Sequence, residues 1–140
     1  MDFDREISVI AARNANGEVS VFPPVECVFD PRYNLVDYLL SPSSASAAIL
    51  QRAEAIAKQV VEAFGIVGLL AVEMFVTKSG DVLVNEVAPR PHNSGHQTIS
   101  ANHVSQYDQH LRAILNLPMG NTALKSASAM VNLLGEDGHS

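Results

Sequence analysis

Residues 71–98 read AVEMFVTKSGDVLVNEVAPRPHNSGHQT. β-branched and apolar residues flank Ser79-Gly80 on both sides. The pattern predicts two strands, 67–77 and 81–88, paired antiparallel through a tight turn. With Ser79-Gly80 as a two-residue loop, Lys78 faces Asp81 and Glu73 lies directly opposite Glu86. A four-residue loop keeps this register and a three-residue loop breaks it. Directly opposed Cβ atoms sit about 4.5–5.5 Å apart, and like charges there destabilise a sheet. The neighbours Val72, Met74, Phe75, Val84 and Val87 are apolar. Three arrangements tolerate such a pair. The carboxyls share a proton with a raised pKa, they hold a divalent cation such as a magnesium bridging phosphates, or one glutamate turns to solvent on an exposed face.

The segment that follows is rich in donors. Arg90, His92, Asn93, Ser94 and His96 fall within seven residues, among Pro89, Pro91 and Gly95. A guanidinium grips a planar anion bidentately. An imidazole moves a proton when neutral and holds an anion when charged. An anion-binding, acid–base loop therefore follows directly on the candidate magnesium hairpin. His92 and His96 also have H-x3-H spacing. Proline and glycine in the segment argue against both rings sharing one helix face, which weighs against zinc. His103, His110 and His139 are expected to be surface or hydrogen-bonded side chains. Cys27 lacks a basic neighbour and reads as a small buried hydrophobe.

Outward from this core, residues 5–13 and 18–29 read as strands around an Asn16-Gly17 turn, with Pro23-Pro24 marking an edge or an interruption. Residues 30–43 read as a loop with a short apolar anchor. Residues 45–64 form the clearest helix, with Ile49, Ala53, Ile56, Ala57, Val60 and Phe64 on one stripe. Ser43 or Ser44 is expected to cap it, and Gly65 to end it in the left-handed conformation. A second helix is expected at about 103–116, with Val104, Tyr107, Leu111, Ile114 and Leu115 on its apolar face. A last strand is expected at 128–134. Strands outnumber helices and the hairpins are antiparallel, so the class is α+β.

Composition bounds the function. The chain has 140 residues, 47% hydrophobic and 17% charged, with a formal net charge of −6. This is globular composition for one domain. An acidic chain with no basic block argues against nucleic acid or an anionic membrane as partner. No apolar run approaches the roughly 20 residues of a membrane span. The charged start is not a signal peptide, and one cysteine excludes a disulfide framework. A cytoplasmic location is expected. No G-x-S-x-G elbow or Walker A loop is present.

These residues resemble a known family. The run VEMFVTKSGDVLVNEVAPRPHNSGHQT is similar to the N5-carboxyaminoimidazole ribonucleotide synthases, ATP-grasp enzymes of purine biosynthesis. The residues that carry the likeness are Glu73, then Asn85-Glu86, then Ala88-Pro89-Arg90-Pro91-His92-Asn93-Ser94-Gly95-His96. Phe3 to Ser8 resembles the family's F-x-x-E-x-S strand, and residues 106–118 its following helix. The resemblance implies that Glu73 and Glu86 bind magnesium on ATP, with Glu6 and Asn85 at the nucleotide. It implies that Arg90 holds bicarbonate and carboxyphosphate, with His92 as the acid–base or anion-orienting group. Asn93 and Ser94 would line the same pocket. The implied substrates are ATP, bicarbonate and aminoimidazole ribonucleotide.

Two positions depart from common patterns. Ala88 stands where many ATP-grasp enzymes have a third metal ligand, an asparagine; alanine at this position matches the synthase subfamily. Phe29 stands where the family often has histidine. The resemblance also implies that residues 1–135 are part of an ATP-grasp domain, with 136–140 a tail. The family's N-terminal substrate domain, small ATP-covering subdomain and C-terminal segment would lie outside these residues. Such a piece is expected to be inactive alone, and to self-associate, as a homodimer for example, through surface that the other parts cover. The alternatives are a formate-dependent purine transformylase, sharing the glutamates but not the HNSGH loop, or a non-catalytic binding module.

Overall fold

The computed structural model describes residues 3–30 and 35–133. The chain order is β1 (Phe3–Arg13), β2 (Val19–Val21), β3 (Val25–Asp30), β4 (Leu35–Ser41), α1 (Ala47–Ala63), β5 (Gly68–Thr77) and β6 (Val82–Ala88). A 3-10 turn (Asn93–Gly95), α2 (Thr98–Ala101), α3 (Gln106–Ile114) and β7 (Ser128–Val131) follow. The strands form one antiparallel sheet in the order β6-β5-β1-β3-β4-β7, with β2 also on β1. The α+β class follows from this arrangement. The 136–140 tail and His139 lie outside the described residues.

Alternation along β1 and β5 sorts the side chains onto two faces. Ile7, Val9 and Ala11 join Leu70, Val72, Met74 and Val76 against Ala53, Ala57 and Val61 of α1. On the opposite face, Ile10, Ala12, Leu69 and Ala71 pack with Phe22, Val104 and Ala113. Glu6, Ser8 and Glu73 have the parity of this second face but lie beyond the end of its apolar cluster. There the sheet is covered by the 3-10 turn rather than by a helix. β2 and β3 occupy one edge of β1 as two halves of a strand interrupted at Pro23-Pro24, because two residues without an N–H cannot continue the ladder.

Several expectations are corrected. Residues 35–41, expected as loop, form β4, which pairs with β3 and β7 in the sheet. Their apolar run is short, and its strand character depends on those two partners. The cap of α1 is Ser46, whose side chain accepts from the Ile49 N–H, and not Ser43 or Ser44. Gly65 does end the helix at φ 61°. The α1 stripe is completed by buried Val61, while Phe64 is exposed.

Helix α3 is inverted relative to its sequence pattern. Leu111, Ile114 and Leu115 are 53%, 46% and 63% exposed, and Tyr107 is also exposed, while Gln106 and Gln109 are fully buried. The physical reason is backbone satisfaction. The Gln106 amide donates to the His92 carbonyl at 2.8 Å and accepts from the His92 N–H at 2.9 Å. The Gln109 amide accepts from the Gly120 N–H at 2.8 Å and donates to its carbonyl at 3.3 Å. Each amide acts as a one-residue strand partner for a partly buried loop residue, His92 or Gly120. No described helix is long and apolar enough to cross a membrane.

Candidate functional site

The β5–β6 hairpin closes with a three-residue loop, Lys78 to Gly80. The Thr77 N–H donates to the Asp81 carbonyl at 2.9 Å, and Gly80 takes φ 88°. The two-residue loop expected from Ser79-Gly80 is therefore corrected. By itself this loop puts Glu73 out of register with Glu86. Val76 faces Val82, Phe75 faces Leu83 and Met74 faces Val84, after which the register slips by one and Glu73 faces Glu86. Asn85 is the extra residue of this bulge, a device that re-aims side chains next to functional sites. Loop and bulge offset one another, so the opposed glutamates are restored by a second irregularity.

Glu73 and Glu86 line an open cleft of about 800 Å³ together with Glu6, Asn85, His92 and Asn93; Phe3, Phe75, Val28 and Phe29 form its apolar walls. Phe3 stacks on Phe75 with ring centroids 4.4 Å apart. Phe29 thus lies in the cleft wall. Cys27 is buried at its base, and burial raises its thiol pKa. Arg5, on the near rim, donates to Glu26 at 3.3 Å and to the Ser44 hydroxyl at 2.8 Å. Glu26 also accepts from Ser43 and from the Ser44 backbone and hydroxyl. These donors hold its carboxyl below the ordinary range although burial pushes the other way.

The carboxylates are the strained part of the site. Glu73 is pushed up to about 7, first by burial, then by its hydrogen bond with Glu86 and by the charges of Glu6 and Glu86; nearby Arg90 offsets part of this. Glu6 is raised by burial and by Glu86. Without a cation the cleft keeps a proton near neutral pH, which is what two opposed carboxyls demand. Among the described residues, no group of three or more His, Cys, Asp or Glu side chains is placed to hold a metal ion. Two carboxylates do fit the way magnesium is bound, through one or two protein oxygens with phosphates and water completing the shell.

The sign of the resulting pH dependence follows from linkage. A carboxyl whose native pKa is raised keeps a proton that the unfolded chain has lost, so its contribution to stability falls as pH rises through that window. His92, whose pKa is lowered by burial and Arg90, acts in the opposite direction nearby. Comparison with Glu73→Gln isolates the carboxylate. The thermal stability advantage of E73Q without nucleotide is expected to be smallest at about pH 4.5, to grow up to about pH 7 and to level off above it. Thermal melts across this range check it; an advantage that stays constant with pH contradicts the raised pKa.

The loop places its donors unequally. His92 Nε2 is 3.8 Å from Glu73 Oε1, and the ring faces the cleft. Asn93 lines the cleft beside it. Arg90 is exposed at the rim and donates to the Pro91 carbonyl at 3.1 Å. Ser94 is buried behind His92, its hydroxyl 2.9 Å from His92 Nδ1 and 2.7 Å from the Ser8 hydroxyl. His96 points away, with Nδ1 2.9 Å from the Tyr107 hydroxyl and 3.1 Å from the Gln106 amide. The two histidines thus serve different partners. Sequence reading missed Ser8 and Gln106. Ser8 sits in an apolar strand run and Gln106 in a helix whose stripe pointed elsewhere, so only their burial marks them.

A sheet of this order carries paired glutamates on adjacent strands and a donor-rich loop at their ends. The chain belongs to the ATP-grasp family, whose domain model matches residues 1–107. It is 44% identical over 137 residues to the N5-carboxyaminoimidazole ribonucleotide synthase of Bacillus subtilis, an alignment covering 98% of this chain and 36% of the relative. It superposes on the crystal structure of N5-carboxyaminoimidazole ribonucleotide synthetase from Thermotoga maritima with a TM-score of 0.89 at 46% identity, covering 99% of this chain and 36% of that one. The Aspergillus clavatus synthase in complex with ADP and 5-aminoimidazole ribonucleotide gives a TM-score of 0.89 at 36% identity, covering 96% and 36%. The chain therefore spans little more than a third of the length of these relatives.

Proposed function

We propose that this chain is the metal- and bicarbonate-handling part of an ATP-dependent carboxylating ligase that converts 5-aminoimidazole ribonucleotide to its N5-carboxy product. The observation that carries the reading is the opposed Glu73–Glu86 pair at a cleft whose other wall presents His92. In this reading bicarbonate attacks the γ-phosphorus of ATP, ADP leaves, and carboxyphosphate forms. Carboxyphosphate then divides into CO2 and phosphate. The amine of the ribonucleotide attacks CO2 and loses a proton to give the carbamate. Glu73 and Glu86 would hold magnesium, which when bound neutralises charge on the transferring phosphoryl oxygens. Arg90 is close enough to Glu73 and His92 to act on their charges and, from its exposed position, would clamp the bicarbonate and carboxyphosphate oxygens. His92 would orient the same anion through an N–H, and Asn93 would add an amide donor. Glu6 and Asn85, both in the cleft, would contact the nucleotide; Ser94 would support His92 from behind.

The remaining two-thirds of such a ligase would supply the adenine cover and the ribonucleotide phosphate site. Residues 1–135 would thus be part of a larger ATP-grasp domain. A cytoplasmic location belongs to the same reading, and the exposed Leu111, Ile114 and Leu115 would be covered by other parts of the protein or by a homodimer partner.

The test is a chimera in which this chain replaces the matching 137-residue segment of the Bacillus subtilis synthase. It is expected to hydrolyse ATP only with bicarbonate and the ribonucleotide, whereas the 140-residue chain alone shows no turnover. Turnover that requires formate instead would favour the transformylase reading. A folded chimera with neither turnover nor magnesium-dependent ADP binding would favour the non-catalytic module.

A further inference from the structure

Ser8 belongs to no part of the function proposed above, yet it lies under the site on the same face as Glu73. It is 1% exposed in the middle of β1, opposite Glu73 in the sheet register. Its hydroxyl meets that of Ser94, 3% exposed, at 2.7 Å. Ser94 in turn approaches His92 Nδ1 twice, through its hydroxyl at 2.9 Å and through its backbone N–H at 3.3 Å. The ring's other nitrogen faces Glu73.

The backbone N–H resolves the direction of this chain. It cannot become an acceptor, so it presents a proton to Nδ1 whichever way the hydroxyls turn. Nδ1 therefore keeps its lone pair and the ring proton sits on Nε2. With Nδ1 an acceptor, the Ser94 O–H donates to it, and the Ser94 oxygen is left to accept from Ser8. The run is Ser8 O–H to Ser94 O–H to Nδ1, and it ends in an N–H on the cleft side. Ser8, donating to the Ser94 oxygen, polarises that hydroxyl and strengthens the O–H that Ser94 gives to Nδ1.

We propose that Ser8 and Ser94 are positioning residues that hold the His92 imidazole as its Nε2–H tautomer, with that N–H directed toward Glu73 and the cleft. A ring held this way presents a donor to an anion bound there, which deepens the role given to His92 and rests on that reading. Partners of this kind, one step removed from a ligand-facing histidine, fix the tautomer and orientation of the ring. Gln106 complements them by holding the main chain of the same residue at both its N–H and its carbonyl.

The tautomer is read directly by nitrogen-15 NMR of the histidine-labelled 140-residue chain. The measurement is made at about pH 8, where an imidazole is neutral, and the His92 signals are assigned by their loss in His92→Gln. Wild type is expected to show Nδ1 in the acceptor range and a protonated Nε2, with a preference of at least about tenfold for that form, the worth of one or two net hydrogen bonds. In Ser8→Ala the two signals are expected to move slightly toward each other, because the donor from Ser94 weakens but remains. Ser94→Ala removes that donor and is expected to give the larger movement, the preference falling severalfold, which keeps the test independent of whether the strand variant folds. Val9→Ala, a core truncation on the opposite face of β1, is expected to lower stability without moving the His92 signals. An Nδ1–H tautomer in wild type, unchanged signals in both serine variants, or an equal movement in Val9→Ala would overturn the proposal. The measurement uses no nucleotide, so it stands or falls separately from magnesium-dependent ADP binding, whose absence would sink the functional reading alone.

Discussion

Replacing Glu73 by glutamine is expected to lower bicarbonate-dependent ATP turnover of the chimera by about 10³-fold or more, while the protein without nucleotide becomes more stable above neutral pH. The two effects have one cause. Glu73 is half-buried opposite Glu86 and within reach of Glu6, which holds its pKa near 7. The pair is unfavourable in the sheet and becomes favourable only with a cation. Removing one carboxylate relieves the repulsion and removes a metal contact together. Loss of such an electrostatic contact to transferring oxygens costs about two to three orders of magnitude or more in rate. Glu86→Gln should behave alike in turnover. Steady-state kinetics with thermal melts check the pair of outcomes. A variant that loses turnover and also loses stability would mean that Glu73 is structural; one that keeps turnover would remove the metal assignment.

Gly95→Ala is expected to destabilise the protein by about 2–4 kcal/mol, a sum of overpacking and stranded backbone groups. A Cβ at this position would lie 2.5 Å from the Gln106 side-chain oxygen and 2.7 Å from its amide carbon. Gly95 is buried and Gln106 has no exposed surface into which to swing. The amide must leave His92, whose N–H and carbonyl then lose their partner. Gln106→Ala removes the obstacle and the clamp at once, so adding Gly95→Ala to it is expected to cost little more. Non-additivity of this kind is the signature of two residues acting through one contact. Denaturant titration of the two single variants and the double variant measures it. Additive losses would mean that Gly95 is restricted by something other than Gln106.

Much of the site was legible because its chemistry is local in the chain. Glu73, Glu86, Arg90 and His92 fall within twenty residues, and strand alternation with a tight turn was enough to oppose the two glutamates. The route to that register was not legible. The expected two-residue turn is a three-residue loop, and the bulge at Asn85 restores the pairing. A bulge has little signature when its residue is polar on an exposed edge strand. β4 was missed because its apolar residues gain strand character from β3 and β7 on either side.

Helix α3 marks the boundary most clearly. Its apolar spacing determined that a helix would form there, but not which face would be buried. Periodicity reports a core-facing stripe only when the partner surface is apolar. Here the partners are the backbones of His92 and Gly120, which need amide groups, so Gln106 and Gln109 turn inward and Leu111, Ile114 and Leu115 turn out. By itself the sequence determined the antiparallel hairpin, helix α1, the acidic pair and the donor-rich loop, because each depends on spacing within a few residues. Only the tertiary structure decided the bulge that aligns the pair, the amide that holds the loop and the Ser8 hydroxyl beneath His92. Those three depend on backbone and side-chain groups meeting across separate elements, a requirement that hydrogen-bond satisfaction imposes and local pattern does not encode.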